Sequence, residues 1–294
     1  MKYTFMEQYR QEFPVVKMSD VLEVSKQGFY NWLKRSTSKR FEEKRKLQAA
    51  IKKRYESHGK MAGSPTITAD LKDEPQWRKV SRSRVALEMK EMDIKCQTRR
   101  KFTATTDSKH KLPIAPNILD RKFSQVSPNL AWVSDLTYLR VKAHWVYLVV
   151  FIDLFSRKVV GWDLSESLDS QSTVNAFDKA LWNRTPKEGL LVHSDRGIQY
   201  ASKHFRSRIN KHGCKQSMSR KGNCWDNAVS ESFFSTLKTR LTHHRSYDSM
   251  EDLRRDVFWY IEIYYNRYRK HSSINWQTPE QKELSLVSQT QKVA

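Results

Sequence analysis

Two stretches decide the fold of this chain: Leu190-Leu-Val-His-Ser-Asp-Arg-Gly197 and Asp226-Asn-Ala-Val-Ser-Glu-Ser-Phe-Phe-Ser-Thr-Leu-Lys238. The first is an apolar run that ends in an acid beside a turn-forming glycine. It predicts a short buried strand that delivers the carboxylate of Asp195 to the C-terminal edge of a sheet. The second repeats apolar residues at a spacing of four, which predicts an amphipathic helix with Glu231 on its polar side.

A third acid, Asp135, lies within the apolar and aromatic run Trp132-Val-Ser-Asp-Leu-Thr-Tyr138. An acid on an amphipathic helix is usually only solvated, so Glu231 by itself indicates little. Asp135 is different, because a carboxylate inside a buried strand is costly unless it is paired or binds a metal. The strand acid therefore favours a functional site.

The three acids resemble the DD(35)E catalytic triad of transposases and retroviral integrases, since 35 residues separate Asp195 from Glu231. Further segments are similar to the second open reading frame of IS3-family insertion-sequence transposases. These are His193-Ser-Asp-Arg-Gly197, Asn227-Ala-Val-Ser-Glu-Ser-Phe-Phe234, Tyr265-Asn-Arg-Tyr-Arg-Lys-His271 and the lysine Lys238, which follows Glu231 by one heptad.

The resemblance implies an α/β chain with an RNase H-like core. We expect a mixed five-stranded sheet with helices on both faces, preceded by small all-helical helix-turn-helix modules. Asp135 would lie on the first strand and Asp195 just after the fourth. The residue pattern agrees with such a sheet. Strand-like runs occur at residues 132–141, 145–154, 158–163, before Asp195 and near Gln216, and helices are predicted at residues 170–183, 203–212 and 248–268.

The resemblance also implies an activity: metal-dependent strand cleavage at the ends of an insertion sequence and joining of a 3′-OH to DNA. It assigns Asp135, Asp195 and Glu231 as catalytic residues and metal ligands. Three carboxylates without a paired His or Cys suit Mg²⁺ or Mn²⁺ better than Zn²⁺. Two ions per active site can act on the attacking and the leaving oxygen. Lys238 is expected to hold a DNA phosphate near the ions.

The composition indicates a polyanionic partner, because 54 Lys and Arg against 32 Asp and Glu give a net charge of +22 over 294 residues. No run is long and apolar enough for a membrane span, so we expect double-stranded DNA as the partner and no membrane. The DNA would comprise the terminal inverted repeats and the target, with the protein as a homo-oligomer on it. Three cysteines without paired spacing and no signal peptide favour the bacterial cytoplasm, with nucleoid association when DNA is bound.

The chain is predicted to have five parts: residues 1–60, a helix-turn-helix-like DNA-binding region with a charged helix; 61–100, a second helical DNA-binding module; 101–125, a basic linker; 126–245, the integrase catalytic core; and 246–294, a C-terminal helical extension. In the first part, two short helices are predicted with Ser19 and Ser25 as N-caps. Lys26 and Arg35 are predicted to contact DNA, although a plain helical hairpin fits the pattern equally. Glu23 stands where related transposases often carry Gly.

Two other functions stay open at this point. One is a catalytically inert DNA-binding regulator derived from a transposase, and the other is a plain RNase H or resolvase. The presence of Asp135, Asp195 and Glu231 together disfavours the regulator, and the N-terminal helical modules disfavour the other enzymes. His193 is interpreted as a packed residue, and Asp153 and Asp163 are interpreted as structural or surface residues.

Overall fold

The computed structural model describes residues 1–34, 38–96, 112–221, 224–242 and 245–293. The described residues form a mixed five-stranded sheet in the order β3-β2-β1-β4-β5. The strands are β1 Ala131–Val141, β2 His144–Asp153, β3 Val159–Ser165, β4 Leu191–Ser194 and β5 Lys215–Met218. Strands β1 to β3 form an antiparallel meander, whereas β4 runs parallel to both β1 and β5. All five lie where the apolar runs predicted them.

Helices cover both faces of this sheet. One face carries α7 Ser170–Arg184, α8 Ile198–Ala201 and α9 Lys203–Lys211. The other carries α10 Ala228–Leu241, α11 Met250–Phe258 and the π-helical segment Trp259–Tyr268. Each face encloses its own buried apolar cluster, centred on Phe177 and Phe205 in one case and on Phe233 and Tyr260 in the other. This arrangement is the RNase H-like fold predicted from the sequence.

The apolar side of α10 fixes its orientation on the sheet. Phe233 and Leu237 are almost fully buried, and Val229 packs against the same cluster. The Phe233 ring meets the Tyr265 ring edge-on, with centroids 4.8 Å apart. Because these residues share one face of the helix, Glu231 is turned away from the apolar core. The sequence prediction for this helix is confirmed.

The aromatic helix predicted at residues 248–268 forms as α11 followed directly by the π-helical segment. Its aromatic residues divide between the core and the surface. Tyr260, Tyr264 and Tyr265 are buried, whereas Phe258 and Trp259 remain about half exposed. A further helix, α12 Pro279–Val293, follows it and was not predicted as a separate element.

A first N-terminal cluster consists of α1 Lys2–Tyr9, α2 Val15–Val21 and α3 Lys26–Leu33. Met6, Met18 and Phe29 form its centre. Ser25 caps α3 as predicted, since its hydroxyl accepts a hydrogen bond from the Gly28 N–H at 3.2 Å. The cap predicted at Ser19 is wrong, because this residue lies inside α2 and its hydroxyl donates to the Val15 carbonyl at 2.8 Å.

A second helical cluster follows, with α4 Lys39–Ser57, α5 Ser64–Leu71 and α6 Arg82–Glu91 around Leu47, Ile51, Ile67 and Val85. Ser81 caps α6. The helix α5 begins with Pro65 in its first turn. Proline is compatible with that position because the first helical N–H groups have no partner within the helix. Over the described ranges, no helix combines the length and hydropathy that a bilayer span needs.

The second helical cluster is docked onto the sheet domain through His58, at the end of α4. The His58 ring lies between the Asp70 carboxylate, 2.6 Å from Nε2, and the Tyr264 hydroxyl, 3.0 Å from Nδ1. Arg240 of α10 donates to the His58 carbonyl and stacks over Tyr264, 4.8 Å from the ring centroid. The adjacent Gly59 has φ of +59°, and a Cβ there would lie 2.3 Å from Arg240 Nη1. A side chain at this position would therefore displace the Arg240 guanidinium and strain the backbone.

Candidate active site

The register of β1 and β4 brings the first two acids side by side. Val133 pairs with His193 in this parallel ladder. Two residues further along each chain lie Asp135, still within β1, and Asp195, just past the end of β4. Asp135 Oδ1 accepts from the Leu136 N–H at 2.8 Å, and Asp195 Oδ1 accepts from the Gly197 N–H at 2.9 Å. Both carboxylates thus lie at the edge formed where β4 ends, while β1 continues to Val141.

Helix α10 adds Glu231 and Lys238 to this edge. Burial raises the pKa of Asp135 well above its usual range, and the charges of Asp195 and Glu231 raise it further, whereas Lys238 opposes the shift. Loss of solvent lowers the pKa of the half-buried Lys238 ammonium, with Asp135 acting in the opposite sense. Partial loss of solvent also raises the pKa of Glu231. The four groups are therefore close enough to influence one another's charge.

The donor chemistry of these acids fits a hard divalent cation, because all three groups offer carboxylate oxygens. In the described ranges, no three His, Cys, Asp or Glu side chains form a ready-made metal site. Mutual repulsion between the carboxylates of Asp135, Asp195 and Glu231 favours such a spread arrangement. A cation would have to draw them together, and it would relieve the same repulsion that raises the pKa of Asp135.

Tyr200 lies beneath the acids and was not identified from the sequence. Its side chain is 1% exposed, and its hydroxyl lies 2.8 Å from Ser134 Oγ. Burial raises the pKa of Tyr200 well above its usual range, and Asp135 and Asp195 add to the shift. The Tyr200–Ser134 pair is therefore neutral and hydrogen-bonded, and it lies next to the two carboxylates. No local pattern marks this tyrosine, because its partner is 66 residues away.

Asp226 was also missed, although it begins the stretch that carries Glu231. Its carboxylate is fully buried and accepts hydrogen bonds from Arg220 Nη2 at 2.8 Å, Arg121 Nε at 2.8 Å and Asn117 Nδ2 at 3.0 Å. The Arg220 contact holds the pKa of Asp226 well below its usual range. Asp226 thereby fixes the segment that leads into α10, and with it the position of Glu231.

His193 links the same segment to β4. The ring is fully buried, with Nε2 donating to the Asp226 carbonyl at 3.0 Å and Nδ1 lying 2.8 Å from Ser217 Oγ. Burial lowers the pKa of His193 to about 4, so the ring is neutral at neutral pH. The sequence interpretation of His193 as a packed residue agrees with these contacts.

The other structural assignments agree as well. Asp153 is fully buried and accepts from the Asn129 N–H at 2.7 Å and the Phe155 N–H at 2.8 Å. Asp163 pairs with Lys179 at 2.6 Å. Neither acid contributes to the edge that holds Asp135.

Two further residues, Lys26 and Arg35, are predicted to bind DNA. Lys26 is exposed at the first position of α3, in the first N-terminal cluster. Arg35 lies outside the described residues. The predicted linker at 101–125 is described only from residue 112 onward.

Comparisons with known families cover most of the chain. Residues 125–224 match the family model described as an integrase core domain, and residues 212–279 match a second model with the same description. Residues 42–102 match an HTH-like domain, which coincides with the second helical cluster and its continuation. Asp135 and Asp195 lie within the first of these matches, and Glu231 and Lys238 lie within the second.

Among individual proteins, the transposase InsF for insertion sequence IS3A of Escherichia coli (strain K12) is 36% identical over 285 residues, covering 96% of this chain and 98% of that protein. The insertion element IS600 uncharacterized 31 kDa protein of Shigella sonnei is 37% identical over 257 residues, covering 87% of this chain and 94% of that one. Two solved structures are more distant. A simian T-cell lymphotropic virus intasome in complex with PP2A regulatory subunit B56 gamma has a TM-score of 0.46 at 16% identity, with 74% of each chain covered. The HTLV-2 integrase catalytic core domain in complex with magnesium has a TM-score of 0.40 at 18% identity, with 54% of this chain and 98% of that one covered.

Proposed function

The chain belongs to the IS3 family of insertion-sequence transposases, and on that basis we propose that it cleaves one strand at the ends of its element and joins the resulting 3′-OH to DNA. Both steps are phosphoryl transfers that one active site can perform. The observation that supports this proposal most is the grouping of Asp135 with Asp195, Glu231 and Lys238 at one edge of the sheet.

We assign the metal-binding role to Asp135, Asp195 and Glu231, with two Mg²⁺ or Mn²⁺ ions per site. When bound, the ions would supply Lewis-acid activation of the attacking oxygen and stabilisation of the leaving oxygen. The protein's own contribution is positioning. β1 and β4 hold two carboxylates in register, Asp226 fixes the start of α10, and Lys238 offers an ammonium to a DNA phosphate beside the acids.

DNA binding is assigned chiefly to the parts that precede the sheet. We propose residues 1–60 and 61–100 as the two helical DNA-binding regions, residues 101–125 as the basic linker, residues 126–245 as the catalytic core and residues 246–294 as a helical extension. Lys26 and Arg35 would contact the phosphate backbone, and the excess positive charge of the chain suits a polyanion. The substrate would be the inverted repeats and the target duplex, with several copies of the chain assembled on the DNA.

The test is a strand-transfer assay with the full chain, a labelled duplex carrying the element end, and a plasmid target. Mg²⁺ or Mn²⁺ should yield joined products that are absent with EDTA. End binding without any joining in either metal would favour the inert regulator. Cleavage of RNA–DNA hybrids without joining would favour a plain RNase H.

A further inference from the structure

A cleft of about 220 Å³ lies behind Glu231, between α10 and the end of the π-helical segment. Its polar lining comes from Arg157, Ser232, Thr236, Tyr265, Arg269, His271 and Ser273, and no Asp or Glu is among the described residues that line it. The volume is below the roughly 300–1,000 Å³ of pockets for organic ligands. A single small anion fits this volume, and the two arginines of the lining suit its charge.

Arg157 is the unusual member of this lining. Its side chain is 9% exposed, and neither Nε nor Nη1 has a hydrogen-bond partner in the described structure. Asp153 lies near, but its carboxylate already accepts from the N–H groups of Asn129 and Phe155 and from the Trp132 indole. A buried guanidinium whose N–H groups lack acceptors is costly, and an anion in the cleft would satisfy them.

A second cationic group, Arg269, lines the same cleft beside His271. Arg269 Nη1 lies 2.9 Å from His271 Nδ1, and the Tyr265 ring packs edge-on against the His271 ring at 4.8 Å. Burial, together with the charges of Arg269 and Arg157, lowers the pKa of His271 well below its usual range. Positive charge from Arg157 and Arg269 is therefore concentrated around the cleft, and Arg269 belongs to the Tyr265-Asn-Arg-Tyr-Arg-Lys-His271 motif.

We propose that this cleft binds one phosphate of the DNA backbone, held by Arg157 and Arg269, and so anchors the strand that enters the acid site. The assignment rests on the proposed function. Val229 and Ser232, which line the cleft, flank Glu231 on α10 within one helical turn. A phosphate held here would therefore be a near neighbour of the reacting one, which is where an anchor contributes most to positioning.

The experiment scans single methylphosphonate substitutions, which remove the charge of one phosphate, along the element end. Affinity is measured without metal and joining with Mn²⁺, using the full chain. For the wild type we expect one or two positions to cost about tenfold or more, as the loss of a charge-assisted contact does. Arg269→Gln should bind unmodified DNA more weakly by a similar factor and lose its sensitivity at those positions alone. Arg157→Lys, which keeps the charge but not the fork, should show the same loss of sensitivity.

Arg255→Gln is the matched control, since it removes one charge from an exposed site on α11 that pairs with Asp252. This variant should lose affinity at the same methylphosphonate positions as the wild type does. If Arg269→Gln and Arg157→Lys both show the wild-type sensitivity to methylphosphonate, the inference is wrong.

Inorganic phosphate provides a separate experiment. One outcome is that inorganic phosphate protects the wild type, but not the variants, against thermal unfolding while the methylphosphonate scans of the variants stay like that of the wild type. That result would identify a site for a free anion and overturn the DNA assignment. If the wild type binds element ends but gives no joined product, the proposed function is wrong. The affinity scan still tests whether the cleft binds a DNA phosphate.

Should Arg157→Lys fail to fold, as judged by circular dichroism, Arg269→Gln decides the question by itself.

Discussion

Asp135 on β1 and Asp195 just past the end of the parallel strand β4 each lie two residues beyond the pair formed by Val133 and His193. Adjacent strands are about 4.8 Å apart, so the two carboxylates repel each other, and this repulsion contributes to the raised pKa of Asp135. The fold thus maintains an unfavourable concentration of negative charge at one edge of the sheet. A bound cation or a proton would relieve it.

Asp195→Asn is expected to abolish cleavage and joining while leaving affinity for element ends unchanged or higher. The substitution removes a metal ligand and a negative charge near the DNA phosphates, yet the amide oxygen can still accept from the Gly197 N–H. Joining and gel-shift assays on the same preparation measure both effects. Asp178→Asn, on the outer face of α7 beside Arg208, is the control and should behave as wild type. Joining at the wild-type rate in Asp195→Asn would refute the assignment.

Lys238→Ala is expected to reduce joining more than it reduces total DNA affinity. One phosphate contact among many adds little to affinity, but it positions the reacting end. The comparison is between the single-turnover joining rate and the dissociation constant, each measured at two salt concentrations. Lys215→Ala, which removes an exposed lysine from β5, serves as the control. Equal losses of rate and affinity in Lys238→Ala would reduce this residue to an ordinary surface charge.

Asp226→Asn is expected to lower the free energy of unfolding by about 2 kcal/mol at about pH 7, because it leaves Arg220 and Arg121 without their buried partner. The folded-state pKa of Asp226 is held below its unfolded value. The stabilisation is therefore complete above the ordinary Asp pKa of about 3.9 and is lost as the pH falls below it. Urea unfolding across this pH range should show the variant and wild type converging in acid.

Asp120→Asn provides the comparison for this acid. Its side chain is 62% exposed and lies 3.5 Å from Arg220, so it should change stability very little. A difference between Asp226→Asn and wild type that persists unchanged to low pH would contradict the mechanism.

Glu23→Gly is expected to stabilise the first N-terminal cluster by about 0.5–1 kcal/mol. Glu23 has φ of +53° in the turn between α2 and α3, a conformation that glycine adopts without steric cost. Hydrogen exchange of the α2 and α3 amides in the full chain should slow. Glu7→Gly, inside α1, should have the opposite effect, because glycine weakens a helix interior. Faster exchange in Glu23→Gly would show that the turn depends on the glutamate side chain.

Much of the sheet was predictable because the information is local. The apolar runs that form β1, β2 and β4 are marked by their own residues, and the amphipathic pattern around Phe233 fixes α10. The positions of the three acids came from motif spacing. Their proximity depends on strand register, which becomes visible only when the ladder between β1 and β4 is described.

The residues whose roles could not be predicted from the sequence have partners that are distant along the chain. Tyr200 looks like any core aromatic until its contact with Ser134 is known, and Asp226 is an ordinary acid until Arg121 joins it from 105 residues away. Arg157 follows the strand β2 in an unremarkable turn, and its lack of acceptors is a property of packing.

The seating of His58 against Tyr264 and Arg240 has a geometric consequence under the proposed function. Arg240 is on the same helix as Glu231, so the second helical cluster is fastened to the element that carries the third acid. The contact then fixes the distance between the DNA bases that the second helical cluster binds and the phosphodiester bond that is cleaved at the acids. Lengthening the chain between residues 96 and 112 should therefore leave the cleavage position unchanged. Gly59→Ala, which disturbs the contact between His58 and Arg240, should spread cleavage over neighbouring nucleotides.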